Sequence, residues 1–231
     1  MIVLALDSSG AAASAAVTED ERLLSSFSVS SAEKHSATLL PMAEKALECA
    51  GKKMSDVDLF AVVAGPGSFT GVRIGISLVK GLTFGTDKPI AQVSSLESLA
   101  YNLNGFDGIA CPVMDARRGQ FYNALFRGGK RLTEDRLISA EDLEIELNAY
   151  SLPVRMTGDG YTLARSLVHA DNIKDTPHRL TVSDAYSAAV VGLNNYMRGV
   201  GIMTDRSVSP VYLRPSQAER TRTERIKENG K

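Results

Sequence analysis

The sequence predicts an α/β fold built from two similar lobes. A buried strand that ends in an aspartate, followed by a turn and a returning strand, occurs twice, at Asp7 and at Asp115. A strand followed by a glycine-containing loop and a helix also occurs twice, with loops at 65–71 and 158–160. Because each unit recurs once at long spacing, the pattern indicates duplicated lobes rather than one doubly wound sheet. The 231 residues are enough for both lobes.

The first half of the chain predicts a strand meander followed by alternating helices and strands. Apolar runs predict strands over 2–6, 11–17, 23–29, 59–64 and 89–93. Helices are predicted over 33–50, 72–84 and 94–103. Ser30 with Glu33, and Ser94 with Glu97, have the spacing of capping boxes for the first and third of these helices. Pro41 predicts a kink or a late start in the first helix.

The second half repeats this order. Strands are predicted over 108–114, 120–127 and 154–157. Helices are predicted over 139–149, from the end of the 158–160 loop to residue 169, and over 181–197. Gly128 and Gly129 predict a hairpin. We therefore predict an N-terminal lobe over 1–104, a C-terminal lobe over 105–200 with its last helix packing back between the lobes, and a C-terminal segment over 201–231.

The charge balance argues against a stand-alone nucleic-acid-binding module. Lysine and arginine total 26 and aspartate and glutamate total 27, for a net charge of -1. A broad basic field is therefore absent. Residues 214–231 nevertheless hold six basic and three acidic side chains, and are either a solvated mobile end or an arm that contacts RNA or a partner.

Cysteine and histidine spacing excludes several kinds of site. Cys49 and Cys111 lack CxxC spacing, which argues against a disulfide scaffold and a cysteine zinc site. The three histidines share no HxxxH or HExxH spacing, so no compact histidine-based metal site is predicted. The apolar runs are too short to span a bilayer, and the N-terminus lacks signal-peptide features. We expect a cytoplasmic protein without a membrane partner.

Four turns are candidate anion sites. The 65–71 loop has the strand–loop–helix context of a phosphate loop, but Val72 and Arg73 stand where a P-loop needs Lys and Ser/Thr. A tight strand-to-helix crossover explains the same glycines. In the turn that begins at Asp7, the hydroxyls of Ser8 and Ser9 could hold a phosphate and the carboxylate its Mg²⁺. In the turn that begins at Asp115, Arg117 and Arg118 could bind an anion or pair with local carboxylates. The 158–160 loop is a further anion candidate or an ordinary turn.

The segment Gly65-Pro66-Gly67-Ser68-Phe69-Thr70-Gly71-Val72-Arg73-Ile74-Gly75 resembles the signature of the TsaB (YeaZ) family. Weaker matching segments occur in family order at 4–9, 34–41, 115–122, 158–160 and 210–215. The resemblance implies an actin-like, sugar-kinase-like (ASKHA) fold with two lobes. It also implies a part in forming threonylcarbamoyladenosine beside the anticodon of tRNA.

The resemblance implies that the chain is a non-catalytic subunit, which binds the transferase TsaD and, with it, the ATPase TsaE. The positions of the HxxxH metal pair of TsaD align with Ser95 and Leu99, which cannot replace two imidazoles. No catalytic residue, metal or required cofactor is therefore expected in this chain. ATP or ADP with Mg²⁺ at the complex interface is a further implication, and tRNA is expected to bind through the complex. An ATP-dependent small-molecule kinase of the same fold is the alternative.

Two sets of candidate site residues follow. The helices near 33–50 and 72–84 carry small and apolar faces, which are buried within the chain or contact TsaD or a second copy of the chain. The partner-interface candidates are His35, Leu39, Ala43, Ala46, Gly71, Gly75 and Leu82. The candidates for a reduced nucleotide cleft are Asp7, Ser8, Ser9, Gly158, Asp159 and Gly160. A lone histidine such as His35 is more often a surface or capping residue than a catalyst.

Overall fold

The computed structural model describes residues 1–30 and 34–214, which form two β-sheets packed with α-helices. The strands are β1 (Ile2–Asp7), β2 (Ala13–Glu19), β3 (Arg22–Val29), β4 (Leu59–Gly65), β5 (Ile90–Ser94), β6 (Ile109–Asp115), β7 (Gln120–Asn123), β8 (Phe126–Arg127), β9 (Lys130–Arg131), β10 (Arg136–Ser139), β11 (Val154–Thr157), β12 (Ile173–Lys174) and β13 (Ile202–Met203). The helices are α1 (His35–Cys49), α2 (Phe69–Thr83), α3 (Ser95–Tyr101), α4 (Ala140–Asn148), α5 (Tyr161–Leu167) and α6 (Ala185–Met197), with short 3₁₀ turns at Met54–Asp56 and His178–Thr181.

The first sheet has the strand order β13-β5-β4-β1-β2-β3. Strands β1, β4 and β5 are parallel, whereas β2, β3 and β13 pair antiparallel with their neighbours. Every residue of β1 and β4 is buried, because helices cover both faces of the sheet. Burial on both faces explains why these strands are continuous apolar runs rather than alternating ones.

Alternate residues of β1 belong to two different cores. Leu4 and Leu6 pack in one cluster with buried residues of α1 and α2. Val3 and Ala5 pack on the opposite face with the alanines at the start of α6. The small residues of α6 bring its backbone close to the sheet, and a Cβ on Gly192 would lie 2.7 Å from the Cβ of Ala61. The predicted small face of the last helix is therefore its sheet-facing side.

The second sheet has the order β10-β7-β6-β11-β12, and β6 also pairs with the short β8–β9 hairpin. The β8–β9 pair places Arg127 opposite Lys130, which confirms the hairpin at Gly128–Gly129. Buried side chains of α4 and α5 pack on this sheet, and α3 packs between β6 and α6. The β1–β2 and β6–β7 pairs are the two repeated aspartate units, and each first strand has a parallel neighbour that ends in a glycine turn. The two-lobed actin-like fold is confirmed.

The first two long helices begin at other residues than the sequence predicts. Helix α1 begins at His35 with Lys34 at its cap and no side-chain cap, so Ser30 does not cap it; Glu33 lies outside the described residues. Helix α2 begins at Phe69 rather than at residue 72, because the hydroxyl of Ser68 accepts a hydrogen bond from the N–H of Gly71. The last glycine of the 65–71 segment is therefore helical.

Later helices follow their cap residues more closely. Ser94 accepts hydrogen bonds from the N–H groups of Leu96 and Glu97, and Ser139 caps α4 in the same way. The final helix begins at Ala185, with Asp184 as its cap, because residues 178–181 form a 3₁₀ turn instead of its predicted first turn. None of the described helices is long and apolar enough to cross a membrane.

The segment Val208–Arg214, here called the strap, joins the two lobes. Val208 is fully buried, and the N–H of Val211 donates to the carbonyl oxygen of Ala64 at 2.7 Å. The Nη1 atom of Arg214 donates to the carbonyl oxygen of Ala116, also at 2.7 Å. The predicted C-terminal segment 201–231 therefore begins as packed chain, and its part beyond Arg214 lies outside the described residues.

Candidate functional site

The loop that follows β4 lies directly against the turn that follows β1. The N–H of Ser68 donates to the carbonyl oxygen of Ser9 at 2.7 Å, and the hydroxyl of Ser8 donates to the carbonyl oxygen of Gly71 at 2.8 Å. Because β1 and β4 are parallel neighbours, the turns after them meet at one edge of the sheet. Two motifs that the sequence predicts separately thus form one packed unit.

Glycine is required where this loop approaches the turn. An ideal Cβ on Gly67 would lie 2.4 Å from the carbonyl oxygen of Ser9, and one on Gly71 would lie 2.0 Å from the carbonyl oxygen of Ser8. Both distances are far inside van der Waals contact, and the obstructing atoms are backbone. The glycine-rich signature therefore serves a close crossover within the chain.

Asp7 is buried at the end of β1 and is held by its own turn. The N–H and the hydroxyl of Ser9 both donate to its Oδ1 atom, at 2.8 and 2.7 Å. Burial raises the pKa of Asp7 above its usual range, although these two hydrogen bonds oppose the shift. The nearby Asp184 carboxylate raises the pKa of Asp7 further.

The residues around Asp7 do not fit a metal-bound phosphate. The hydroxyls of Ser8 and Ser9 and the N–H of Ser9 are the donors expected for a phosphate, and all three already bond within the chain. Within residues 1–30 and 34–214, no group of three or more histidine, cysteine, aspartate or glutamate side chains is arranged to hold a metal ion. The polar groups of this turn therefore stabilise contacts within the chain.

The corresponding loop of the second lobe packs against the end of β6 and lies near the turn after β1. A Cβ on Gly158 would lie 2.3 Å from the carbonyl oxygen of Val113, and the N–H of Gly160 donates to that oxygen at 3.1 Å. A Cβ on Gly10 would lie 3.7 Å from the Oδ2 atom of Asp159. Partial burial raises the pKa of Asp159, and the carboxylates of Asp115 and Asp7 raise it further, although part of this residue stays exposed. The structure thus places the two sets of residues predicted for a reduced nucleotide cleft near each other.

Two further expectations concern His35 and the positions that the family resemblance assigns to a metal pair. His35 lies beside the turn after β1, with Nε2 3.2 Å from the carbonyl oxygen of Gly10. The two positions that the resemblance matches to the metal pair of TsaD are buried in α3: the hydroxyl of Ser95 donates to the carbonyl oxygen of Pro66, and Leu99 packs in an apolar cluster. Neither side chain is a metal ligand, and both are parts of the core.

An apolar groove of about 490 Å³ lies between α1 and α2 on the outer face of the first lobe. Its lining residues are Ser36, Leu39, Leu40, Phe69, Thr70, Arg73, Ile74, Ser77 and Leu78. Leu40 is 38% exposed although it is a large apolar side chain on a regular helix. Such a groove is typical of a surface that receives another protein element.

Four of the predicted interface residues are buried within the chain and do not line the groove. Ala43 and Ala46 are fully buried in α1, and Gly71 and Gly75 are buried in α2, so these residues pack within the chain. Their positions do not test partner binding itself. Of the predicted interface residues, Leu39 lines the groove, Leu82 is partly buried against the core, and His35 lies against the carbonyl oxygen of Gly10.

The strap forms the edge of this groove. The ring of Tyr212 stacks on that of Phe69 with a centroid distance of 4.2 Å, and the Nε atom of Arg73 donates to the Tyr212 hydroxyl at 2.7 Å. The guanidinium carbon of Arg73 lies 4.1 Å from the centroid of the Phe69 ring. The sequence does not predict the contact between Tyr212 and α2; for the groove itself, the apolar positions Leu40, Ile74 and Leu78 outside the buried stripes of α1 and α2 were the available signal.

Residues 26–218 match a family model described as TsaD, tRNA N6-adenosine threonylcarbamoyltransferase. The chain is 33% identical over 172 residues to the Bacillus subtilis tRNA threonylcarbamoyladenosine biosynthesis protein TsaB, an alignment that covers 73% of this chain and 75% of that protein.

Two solved structures from Pseudomonas aeruginosa are similar over most of their length. One is described as YeaZ; its TM-score is 0.75 at 26% identity, with 92% of this chain and 99% of that chain covered. The other is described as an uncharacterized protein with similarity to peptidase YeaZ; its TM-score is 0.78 at 28% identity, with the same coverage.

Proposed function

This chain belongs to the TsaB (YeaZ) family, and from that premise we propose that it is a non-catalytic subunit of the complex that forms threonylcarbamoyladenosine in tRNA. Its relatives are named for that pathway, which supports a role in the process. The observation that carries the proposal is the apolar groove between α1 and α2, in which Leu40 is 38% exposed.

The proposed absence of catalysis rests on the residues that occupy the aligned metal positions. Ser95 and Leu99 are buried and engaged in the core, and they offer no imidazole to a metal ion. A small-molecule kinase of the same fold, the alternative from the sequence, needs a phosphate site at Asp7. The engaged hydroxyls of Ser8 and Ser9 argue against that site.

We propose that TsaD occupies the groove and that TsaE joins the pair. The TsaD-like family match over residues 26–218 supports this choice, because paralogues of one fold can pair through equivalent helices. Any ATP or ADP with Mg²⁺ then acts on TsaE or at the complex interface, outside the Asp7 turn. tRNA reaches the chain through the complex, and the location that we propose for this role is the cytoplasm. A homodimer through the groove is the competing occupant.

Exposed leucine and isoleucine side chains allow a matched test of the groove. Leu40→Glu places a charge in the groove without disturbing the core, because Leu40 is already partly exposed. Ile145→Glu introduces the same charge on α4, where Ile145 is 66% exposed. We expect Leu40→Glu to weaken binding to the TsaD of the same organism at least tenfold in a calorimetric titration, whereas Ile145→Glu binds like the unmodified chain.

Three other outcomes would count against the proposal. Equal binding by both variants would show that the groove is not the TsaD surface. Absence of TsaD binding by the unmodified chain would overturn the proposed function. Loss of a homodimer by Leu40→Glu, with TsaD binding intact, would assign the groove to a second copy of the chain.

A further inference from the structure

The turn between β6 and β7 presents two arginines in an unusual conformation. Arg117 and Arg118 have positive φ angles of 69° and 59°, followed by Gly119 at 69°. Left-handed backbone is uncommon for residues with a side chain, and consecutive occurrences are a reason to seek a function. Both arginines are exposed, and the Arg117 side chain is 85% exposed. The turn therefore projects two guanidinium groups into solvent.

A third guanidinium lies at the same place. Arg214, the last residue of the strap, donates from Nη1 to the carbonyl oxygen of Ala116, immediately before the two arginines. Only Arg117 has a carboxylate partner among the described residues, namely Asp115 at 3.4 Å from Nη1 to Oδ2. This arginine turn, defined as Arg117, Arg118 and Arg214, is therefore a local excess of positive charge.

The chain beyond the arginine turn has the same sign. Residues 214–231 hold six basic and three acidic side chains, whereas the whole chain has a net charge of -1. The first 213 residues are thus net negative, and residues 214–231 are a stretch of the sequence with a net positive charge. The carboxylates of Asp115 and Asp159 lie close to this turn, and Arg117 pairs with the first of them, so Arg118 and Arg214 are the guanidiniums without a carboxylate partner among the described residues.

The arginine turn also lies beside the groove. Tyr212 stacks on Phe69 at the groove edge, and Arg214 follows it by two residues. Two residues of extended chain span at most about 7 Å. A partner seated in the groove would therefore hold its own ligand close to the arginine turn.

We propose that Arg117, Arg118 and Arg214 bind backbone phosphates of the tRNA held by the assembled complex. The inference rests on the proposed function, because it takes the tRNA from the complex. Guanidinium groups bind phosphate through paired hydrogen bonds and charge, and such contacts are independent of base sequence. The near-zero net charge of the whole chain is therefore compatible with a local phosphate contact at the arginine turn. This contact forms only when a partner holds the tRNA nearby.

Glycine substitutions test the first two arginines without straining the turn. Arg117→Gly with Arg118→Gly removes both guanidiniums, and glycine accepts positive φ freely. Arg22→Ala with Arg127→Ala removes two exposed arginines elsewhere and serves as the matched charge control. Arg117→Lys with Arg118→Lys keeps the charge. Arg214→Ala tests the strap residue alone.

The measurement is the affinity of each full-length chain, in complex with TsaD, for unmodified tRNA at several salt concentrations. We expect the glycine variant to bind tRNA about tenfold more weakly than the unmodified complex near 0.1 M salt, and its salt slope to fall by about 1.5. Arg214→Ala should lose several-fold, the lysine variant should lie close to the unmodified complex, and the charge control should match it.

The outcomes separate this inference from the proposed function. Normal complex formation with unchanged tRNA affinity and salt slope in the glycine variant would overturn the inference alone, as would an equal loss in the charge control. A loss of affinity for ATP, but not for tRNA, would assign the arginines to a nucleotide phosphate instead. Absence of the complex would overturn the proposed function and remove the basis of the inference.

Discussion

The carbonyl oxygen of Ser8 occupies the space that a side chain on Gly71 would need, only 2.0 Å from an ideal Cβ position. This contact joins the first turn of α2 to the aspartate turn after β1, and the hydroxyl of Ser8 closes it with a hydrogen bond to the carbonyl oxygen of Gly71. Packing within the chain therefore accounts for this glycine of the family signature without a ligand.

Gly71→Ala should destabilise the fold by about 2–3 kcal/mol, because backbone atoms on both sides cannot yield. Gly81→Ala, in the same helix, is the matched control, since its Cβ meets nothing within 4 Å. That control should be neutral or up to about 1 kcal/mol more stable. Urea unfolding of both variants measures the difference in the free energy of unfolding. Equal stability would show that the close contact between Gly71 and the Ser8 carbonyl oxygen does not require glycine.

Tyr212→Ala should loosen the strap, because it removes both the ring stacked on Phe69 and the hydroxyl that accepts from Arg73. We expect a loss of about 1–2 kcal/mol in the free energy of unfolding. Tyr212→Phe keeps the ring and should lose less than half of that amount. A larger loss for Tyr212→Phe than for Tyr212→Ala would show that stacking is not what holds the strap.

Burial of Asp7 predicts a specific pH dependence. Its pKa is raised in the folded chain, so the folded state binds a proton more tightly than the unfolded state. Its contribution to stability is therefore present at low pH and is lost as pH rises from the ordinary aspartate pKa through the raised one. Asp7→Asn removes this dependence while keeping an oxygen that accepts from Ser9.

Unfolding free energies of the unmodified chain and Asp7→Asn, measured from pH 4 to pH 8, test this sign. The stability of the unmodified chain relative to the variant should decrease as pH rises. Asp107→Asn, at an exposed position outside the cleft, controls for the chemical change. A relative stability that increases with pH would show that the folded chain favours the charged carboxylate.

The two thiols should differ in reactivity. Cys49 is exposed at the end of α1, whereas Cys111 is fully buried in β6 and burial raises its pKa to about 12. A thiol reagent at neutral pH should therefore modify Cys49 in the native chain and both cysteines after denaturation. Cys49→Ser should abolish native-state modification; rapid labelling of Cys111 in that variant would contradict its burial.

The sequence predicts the layout of the fold because the strongest patterns are set locally. The buried runs of β1, β4 and β6 and the repeated aspartate turns depend on neighbours in the chain, and the structure follows them. The start of α2 was wrong by three residues because Ser68 looks like a loop residue until its hydroxyl bonds to Gly71. The short strands β12 and β13 have two residues each and are defined only by their partners.

The sites depend on contacts that no local pattern contains. Ala43 and Gly75 look like a small-residue interface, but only the packed sheet and the Ser8 turn show that they are covered within the chain. The groove is lined by other positions of the same two helices, such as Leu40 in α1 and Ile74 in α2. Likewise, Tyr212 and Arg214 lie in a polar C-terminal stretch, and the structure alone places them against residues about 100 to 140 positions earlier in the chain.

Reconstitution of the modification reaction tests the central claim most directly. The chain, TsaD and TsaE of one organism are combined in every combination with tRNA and the activated threonylcarbamoyl donor, and threonylcarbamoyladenosine is quantified by mass spectrometry of the digested tRNA. We predict no product from the chain alone, full activity from the three proteins together, and a loss of at least tenfold when the chain is omitted or replaced by Leu40→Glu. Product formed by the chain alone, or equal activity without it, would contradict its assignment as a non-catalytic, activating subunit.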